Sequence, residues 1–193
     1  MSTRDSTSDP TSDAELRRRD ESSRDRWPLT PLISAADIPA SLLPTIEIPE
    51  EQYHPLRECG VQRGRNAYGT IDNHELGILG EGAIARFFGM THAVDTAVYE
   101  RGDGGVDLEL NGVTIDVKTG GRQYSSPNLI VNAYQPLRAD YYALVHRVGK
   151  MHFRLIGYAP RQFVANASVE EFRGQPCHVV PQRDLFPFPP TLR

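Results

Sequence analysis

Two hydrophobic rhythms run along this chain, and each predicts an element. In "GVDLELNGVTIDVKTG", residues 105–120, apolar and polar positions alternate on both sides of Asn111-Gly112. Alternation marks half-buried strands, and Asn-Gly tolerates the positive φ of a type I′ turn, so the stretch predicts a β-hairpin. A two-residue turn fixes the register: Leu110 faces Val113, Glu109 faces Thr114, Leu108 faces Ile115 and Asp107 faces Asp116. Val106, Leu108, Leu110, Val113, Ile115 and Val117 then share an apolar face, with Asp107, Glu109, Thr114, Asp116 and Lys118 on the other. Upstream, "DNHELGILGEGAIARFFG" changes to helical spacing, with Leu76, Leu79, Ala83, Ile84, Phe87 and Phe88 as its buried stripe. Asp72 reads as the N-cap, Glu75 completes a capping-box pattern, and Gly89 reads as the C-cap.

Past the hairpin the pattern gives a polar loop "TGGRQYSSPN", a short strand "LIVNA", and two apolar runs, "DYYALVHRV" and "MHFRLIGYA", joined by Gly149-Lys150. "RQFVANA" reads as a short helix and "CHVVP" as a last edge strand. That order predicts an α/β sandwich with a mixed central sheet flanked by helices.

Composition changes the picture at the N-terminus. Residues 1–26 are Ser, Thr, Asp, Glu and Arg with almost no apolar content, so a disordered tail is expected. Residues 27–55 are proline-rich and read as an extended arm, leaving 56–193 as the domain. No apolar run approaches the ~20 residues of a membrane span, and no signal peptide is evident. Cys59 and Cys177 stand far apart without paired-ligand spacing, as free thiols do in the cytoplasm. The six histidines show no metal-ligand spacing either. A net charge of −4 leaves any phosphate binding to local patches.

The candidate chemistry lies in the hairpin. Directly opposed residues have Cβ atoms roughly 5 Å apart, where like charges destabilise and raise one another's pKa. Something positive belongs between Asp107 and Asp116. Hard cations such as Mg²⁺ take carboxylate and water oxygens, and Lys118 shares the face of Asp116. Glu81 falls on the flank of the helical stripe, within reach of the edge of whatever the helix packs on.

Asp107, then Asp116-Val117-Lys118 on the next strand, with Gly80-Glu81 on the preceding helix, resembles the PD-(D/E)xK nuclease superfamily over roughly residues 72–160. The resemblance implies a restriction-endonuclease-like core and hydrolysis of DNA phosphodiester bonds. It implies that Asp107, Asp116, the Val117 carbonyl and Glu81 hold Mg²⁺, with Mn²⁺ able to substitute, and that Lys118 orients or helps deprotonate the attacking water. Val106 stands where the family name has proline, and Asp116 is the shorter acid of the D/E choice. Gln123-Tyr124 and Gln135 do not match the exonuclease motif, so an endonuclease is expected. Arg63, Arg65 and Arg122, in glycine-containing loops, are candidates for phosphate contacts, and Tyr124 for stacking on a base. A homodimer or a protein partner stays open. Two other readings cover parts of the pattern. A catalytically silent relative would bind nucleic acid or protein with the same core. An amphipathic hairpin with a merely wet face explains Glu109 and Thr114 but not Asp107 opposite Asp116.

Overall fold

The computed structural model describes residues 34–66, 70–90, 105–121, 123 and 126–188. The expected polar tail, Arg122 and Tyr124 lie outside the described residues. The elements run β1 (Thr45–Glu47), α1 (Glu50–Asn66), α2 (Ile71–Phe87), β2 (Leu108–Leu110), β3 (Val113–Gly120), β4 (Leu129–Asn132), β5 (Tyr141–Arg147), β6 (His152–Pro160), α3 (Arg161–Ala165), β7 (Ser168–Phe172) and β8 (Gln175–Val180). They form a mixed α/β fold with a five-stranded sheet, ordered β1-β6-β5-β3-β2, and a three-stranded sheet, ordered β4-β8-β7. Within the larger sheet β3 and β5 run parallel and the other neighbours antiparallel.

Alternation along the central strands feeds two cores. Ala143 and Val145 of β5 join Ile115 and Val117 of β3 in packing against Ile78, Leu79 and Ile84 of α2. Tyr142 and Leu144 point the other way, into a cluster with Leu129, Val131 and Val180 of the smaller sheet. The large sheet is therefore covered by helices on one face and by strands on the other. Among the described residues, no helix is long and apolar enough to cross a membrane.

Four features differ from what the local pattern predicts. Helix α1 starts at Glu50 and runs through the expected boundary at residues 55/56, with Pro55 inside it. Pro55 lies just past the first turn and costs the backbone bond to the Glu51 carbonyl, while Glu50 and Glu51 suit the helix N-terminus. Helix α2 is capped by Thr70, whose hydroxyl accepts from the Asn73 amide at 3.3 Å, so Asp72 sits in the first turn instead. Glu75 forms no capping box; its carboxylate takes Arg57 of α1 at 3.1 Å. The C-terminal prediction needs only a one-place shift. Phe88 is the C-cap, and Gly89 follows with φ +72 while Met90 N–H returns to the Ala85 carbonyl at 2.7 Å. The fourth difference is in the smaller sheet, where β8 is the central strand and not an edge, because β7 pairs with its far side. The polar sequence of β7, "SVEEF", hid that strand.

One close approach sets how α2 lies on the sheet. A Cβ on Gly80 would fall 1.9 Å from Thr119 Oγ1 on β3. Helix and strand touch here as only glycine allows. Gly80→Ala is expected to lower the unfolding free energy by about 1–3 kcal/mol through overpacking. Urea denaturation should show an earlier midpoint at unchanged slope, and adding Thr119→Ala should recover part of the loss.

Candidate active site

The hairpin turn forms as its sequence predicts, with φ 53 at Asn111 and 79 at Gly112. Leu110 pairs with Val113, Glu109 with Thr114 and Leu108 with Ile115. The ladder ends there. In a regular ladder residue 107 would turn its amide away from β3. Instead Asp107 N–H donates to the Ile115 carbonyl at 2.9 Å, as in a β-bulge. The Val117 amide then donates to Asp107 Oδ2 at 2.6 Å, so a carboxylate stands where the next backbone acceptor would be. A one-residue slip exchanges the faces of a strand. Accordingly Leu108 sits in the helix-side core, whereas Val106 packs against the opposite one. The shared apolar face expected for these two residues is thus broken at Asp107.

Three acids gather at this bend. Glu81 and Asp116 are buried, at 6% and 5% exposure, and Asp107 is partly so. Gly80 pressed on Thr119 brings the next helical residue, Glu81, beside the hairpin. Loss of water pushes the Asp107 carboxyl well above the usual carboxylate range, and the charges of Glu81 and Asp116 push it further. Lys118 and the Val117 amide oppose that rise without cancelling it. Lys118 Nζ lies 2.6 Å from Asp116 Oδ1, close enough for a strong charge contact yet without the alignment of a directed hydrogen bond. Burial alone would lower the lysine's pKa, but Asp116 and Asp107 outweigh it and hold the ammonium more firmly charged than usual.

The other expected residues are distributed less evenly. Arg63 and Arg65 occupy the last turn of α1, not a loop. Arg63 Nη1 lies 3.7 Å from Glu81 Oε1, which makes it a partner of the acids, while Arg65 is exposed. Val117 contributes the amide that holds Asp107, and its side chain is core.

Two neighbours were missed by the sequence reading. Tyr142 lies beside Asp116 across the parallel pair; burial raises the pKa of its phenol, and the Asp116 charge adds to that. Asp140 accepts from the Thr114 amide and hydroxyl at 2.9 and 2.8 Å and pairs with Arg161 at 2.7 Å, fastening the start of β5 to β3. Both depend on β5 lying next to β3, a non-local pairing that leaves no trace in the local pattern.

Among the described residues no group of three or more His, Cys, Asp and Glu is arranged to hold a metal ion. The chemistry of the acids nevertheless suits a hard cation. Asp107 and Asp116 offer the one or two carboxylates that Mg²⁺ usually takes from a protein. Neither a family model nor a curated protein nor a solved structure matches the chain.

The raised pKa has a sign that can be tested. The folded protein holds the Asp107 proton more tightly than the unfolded chain does. Its stabilising contribution is complete below the ordinary aspartate pKa of about 3.9 and is lost as pH rises through the raised folded value. In EDTA, Asp107→Asn is therefore expected to be more stable than the wild type at neutral pH. Thermal melts across a pH series should show that advantage vanishing below about pH 4.

Proposed function

We propose that this protein is a metal-dependent deoxyribonuclease, an endonuclease with a restriction-endonuclease-like core. The observation that carries the reading is the meeting of Glu81 from α2, Asp107 from the hairpin bend and Asp116 from β3 beside a single lysine. A structural hairpin gains nothing from placing Asp107 in a poorly hydrated corner where the charges of Glu81 and Asp116 add to the rise in its proton affinity. A catalyst of phosphate hydrolysis gains a cation site there.

Asp107, Asp116 and the Val117 carbonyl would hold Mg²⁺ or Mn²⁺, with Glu81 supporting a second ion or its water. A bound cation of this kind acidifies water and neutralises charge on a phosphate. The protein's own groups do the positioning. The Val117 amide fixes Asp107 Oδ2, so this acid keeps its orientation whether or not it is charged. The Lys118 ammonium, held charged by Asp116 and Asp107, suits stabilisation of the developing negative charge on a phosphate better than it suits removal of a proton from water. Arg63 balances Glu81 and approaches the same corner, where a second cation can share the phosphate charge. Cys59 and Cys177 are buried and not joined in a disulfide, as suits a reducing, cytoplasmic setting.

A catalytically silent relative that binds nucleic acid or a protein is the second reading. It is favoured by the ion contacts of Lys118 with Asp116 and Arg63 with Glu81, which leave two of the three acids already balanced.

Supercoiled, linear, single-stranded and branched DNA incubated with Mg²⁺, Mn²⁺ or EDTA separates the two. Metal-dependent cleavage is expected, with Asp116→Asn and Lys118→Ala each slower by about 10²–10³-fold. Mg²⁺ should also raise the melting temperature of the wild type and not of Asp116→Asn, since a ligand of the folded state stabilises by mass action. Metal-dependent stabilisation without cleavage of any substrate would instead support the silent relative.

A further inference from the structure

A cleft of about 240 Å³ opens at the carboxyl end of β3, immediately beyond the acids, and Lys118 lines it. At about 30 Å³ per water it holds roughly eight water molecules. That is below the roughly 300–1,000 Å³ of sites that enclose a drug-sized ligand, and suits a single flat ring system.

The walls match that shape. Leu76 of α2, Pro127, Ile130 and Leu144 supply apolar surface. Asn73, Gln123 and Asn128 also line it; a side-chain amide carries both a donor and an acceptor as the edge of a nucleobase does, and Asn128 Oδ1 already accepts from the Gln182 amide at 3.3 Å. Thr119 also lines the cleft, with its Oγ1 buried on the side of Gly80. The tip of the β7–β8 hairpin closes one side with Phe172, whose ring centroid lies 5.3 Å from the Arg173 guanidinium carbon. Arg173 adopts φ +53 in the two-residue turn with Gly174, a conformation arginine seldom takes. The hairpin therefore holds a cation on an aromatic ring at the mouth of an apolar slot.

We infer that this cleft receives one unstacked nucleobase of the substrate strand, so that the protein acts on DNA carrying an unpaired nucleotide beside the cut. The inference rests on the nuclease reading of the adjoining acids. Lys118 joins the two sites: its stem lines the cleft and its ammonium lies on Asp116, so a base seated in the slot has its own phosphate next to the acids. Phe172 stacks on the base, the amides meet its edge, and Arg173 meets the backbone outside. A net charge of −4 agrees with this division. Tracking a duplex draws affinity from many phosphate contacts, whereas a pocket for one base needs few.

Binding in the Asp116→Asn protein with Mg²⁺ tests the cleft separately from catalysis. The probes are three oligonucleotides of one sequence with a single 2-aminopurine: a single strand, a perfect duplex, and a duplex in which that base is bulged. The single strand and bulged duplex are expected to bind at least about tenfold more tightly than the perfect duplex. Adding Phe172→Ala should remove about tenfold of that affinity, the scale of one lost base–aromatic stack, while Phe172→Trp retains it. An unchanged melting temperature in the partly exposed Phe172→Ala protein would confirm that the fold is intact. Equal affinity for all three probes, or loss of affinity on all three alike, overturns the inference whatever the wild type cleaves. Phe172-dependent preference for the unpaired base without cleavage by the wild type overturns the nuclease reading and upholds the cleft.

Discussion

The hydrogen bond from the Val117 amide to the Asp107 carboxylate, 2.6 Å long, fixes the point at which the hairpin stops being a ladder. A backbone N–H in a sheet must find an acceptor, and here a side chain supplies it. That substitution frees the chain before β2 to turn away, sends Val106 to the opposite core, and holds an acid against two others. With a carbonyl in that place the pairing would continue, and Asp107 would lie directly across from Asp116.

Helix α2 makes the second half of the arrangement. It approaches β3 closely enough at Gly80 that Thr119 occupies the space a methyl group would need. The helical turn then delivers Glu81 to the bend, where Arg63 of α1 meets it. Buried like charges are tolerable only when something nearby balances them. Lys118 and Arg63 share that task, while burial and its acidic neighbours raise the proton affinity of Asp107, whose orientation the Val117 amide controls.

The scaffold around the acids is stiff where they need it. Thr114, on the same face of β3 as Asp116, is tied to Asp140, and Asp140 to Arg161, so the parallel neighbour β5 is locked in register by a polar clasp at its start. Tyr142 and Leu144 pack behind it into the second core. The cleft beyond Lys118 is bounded by that same β5, by α2 and by the β7–β8 hairpin tip. The charged cluster and the cleft therefore adjoin at one lysine.

Local pattern determined the hairpin turn and its first three pairs, because an Asn-Gly turn and period-two alternation leave one register. It located α2 too, with Leu79, Ala83 and Ile84 in the core, although packing from both sides buries every residue from Ile78 to Ala85 and leaves Leu76, Phe87 and Phe88 only partly covered. It also marked Asp107, Asp116 and Lys118 together, since like charges on facing strands need an explanation that packing does not provide, and the family resemblance added Glu81. Tertiary structure decided the rest. Asp107 leaves the ladder because a bulge is settled by competition among acceptors, not by residue preference. Thr70 displaces Asp72 as the cap, and Glu75 goes to Arg57, because α1 lies alongside α2 in a way no periodicity encodes. The roles of Arg63, Tyr142 and Asp140, and the cleft itself, arise where distant segments meet. Neighbour relations of that kind are properties of the packed molecule, and a linear pattern carries them only once the chain has folded.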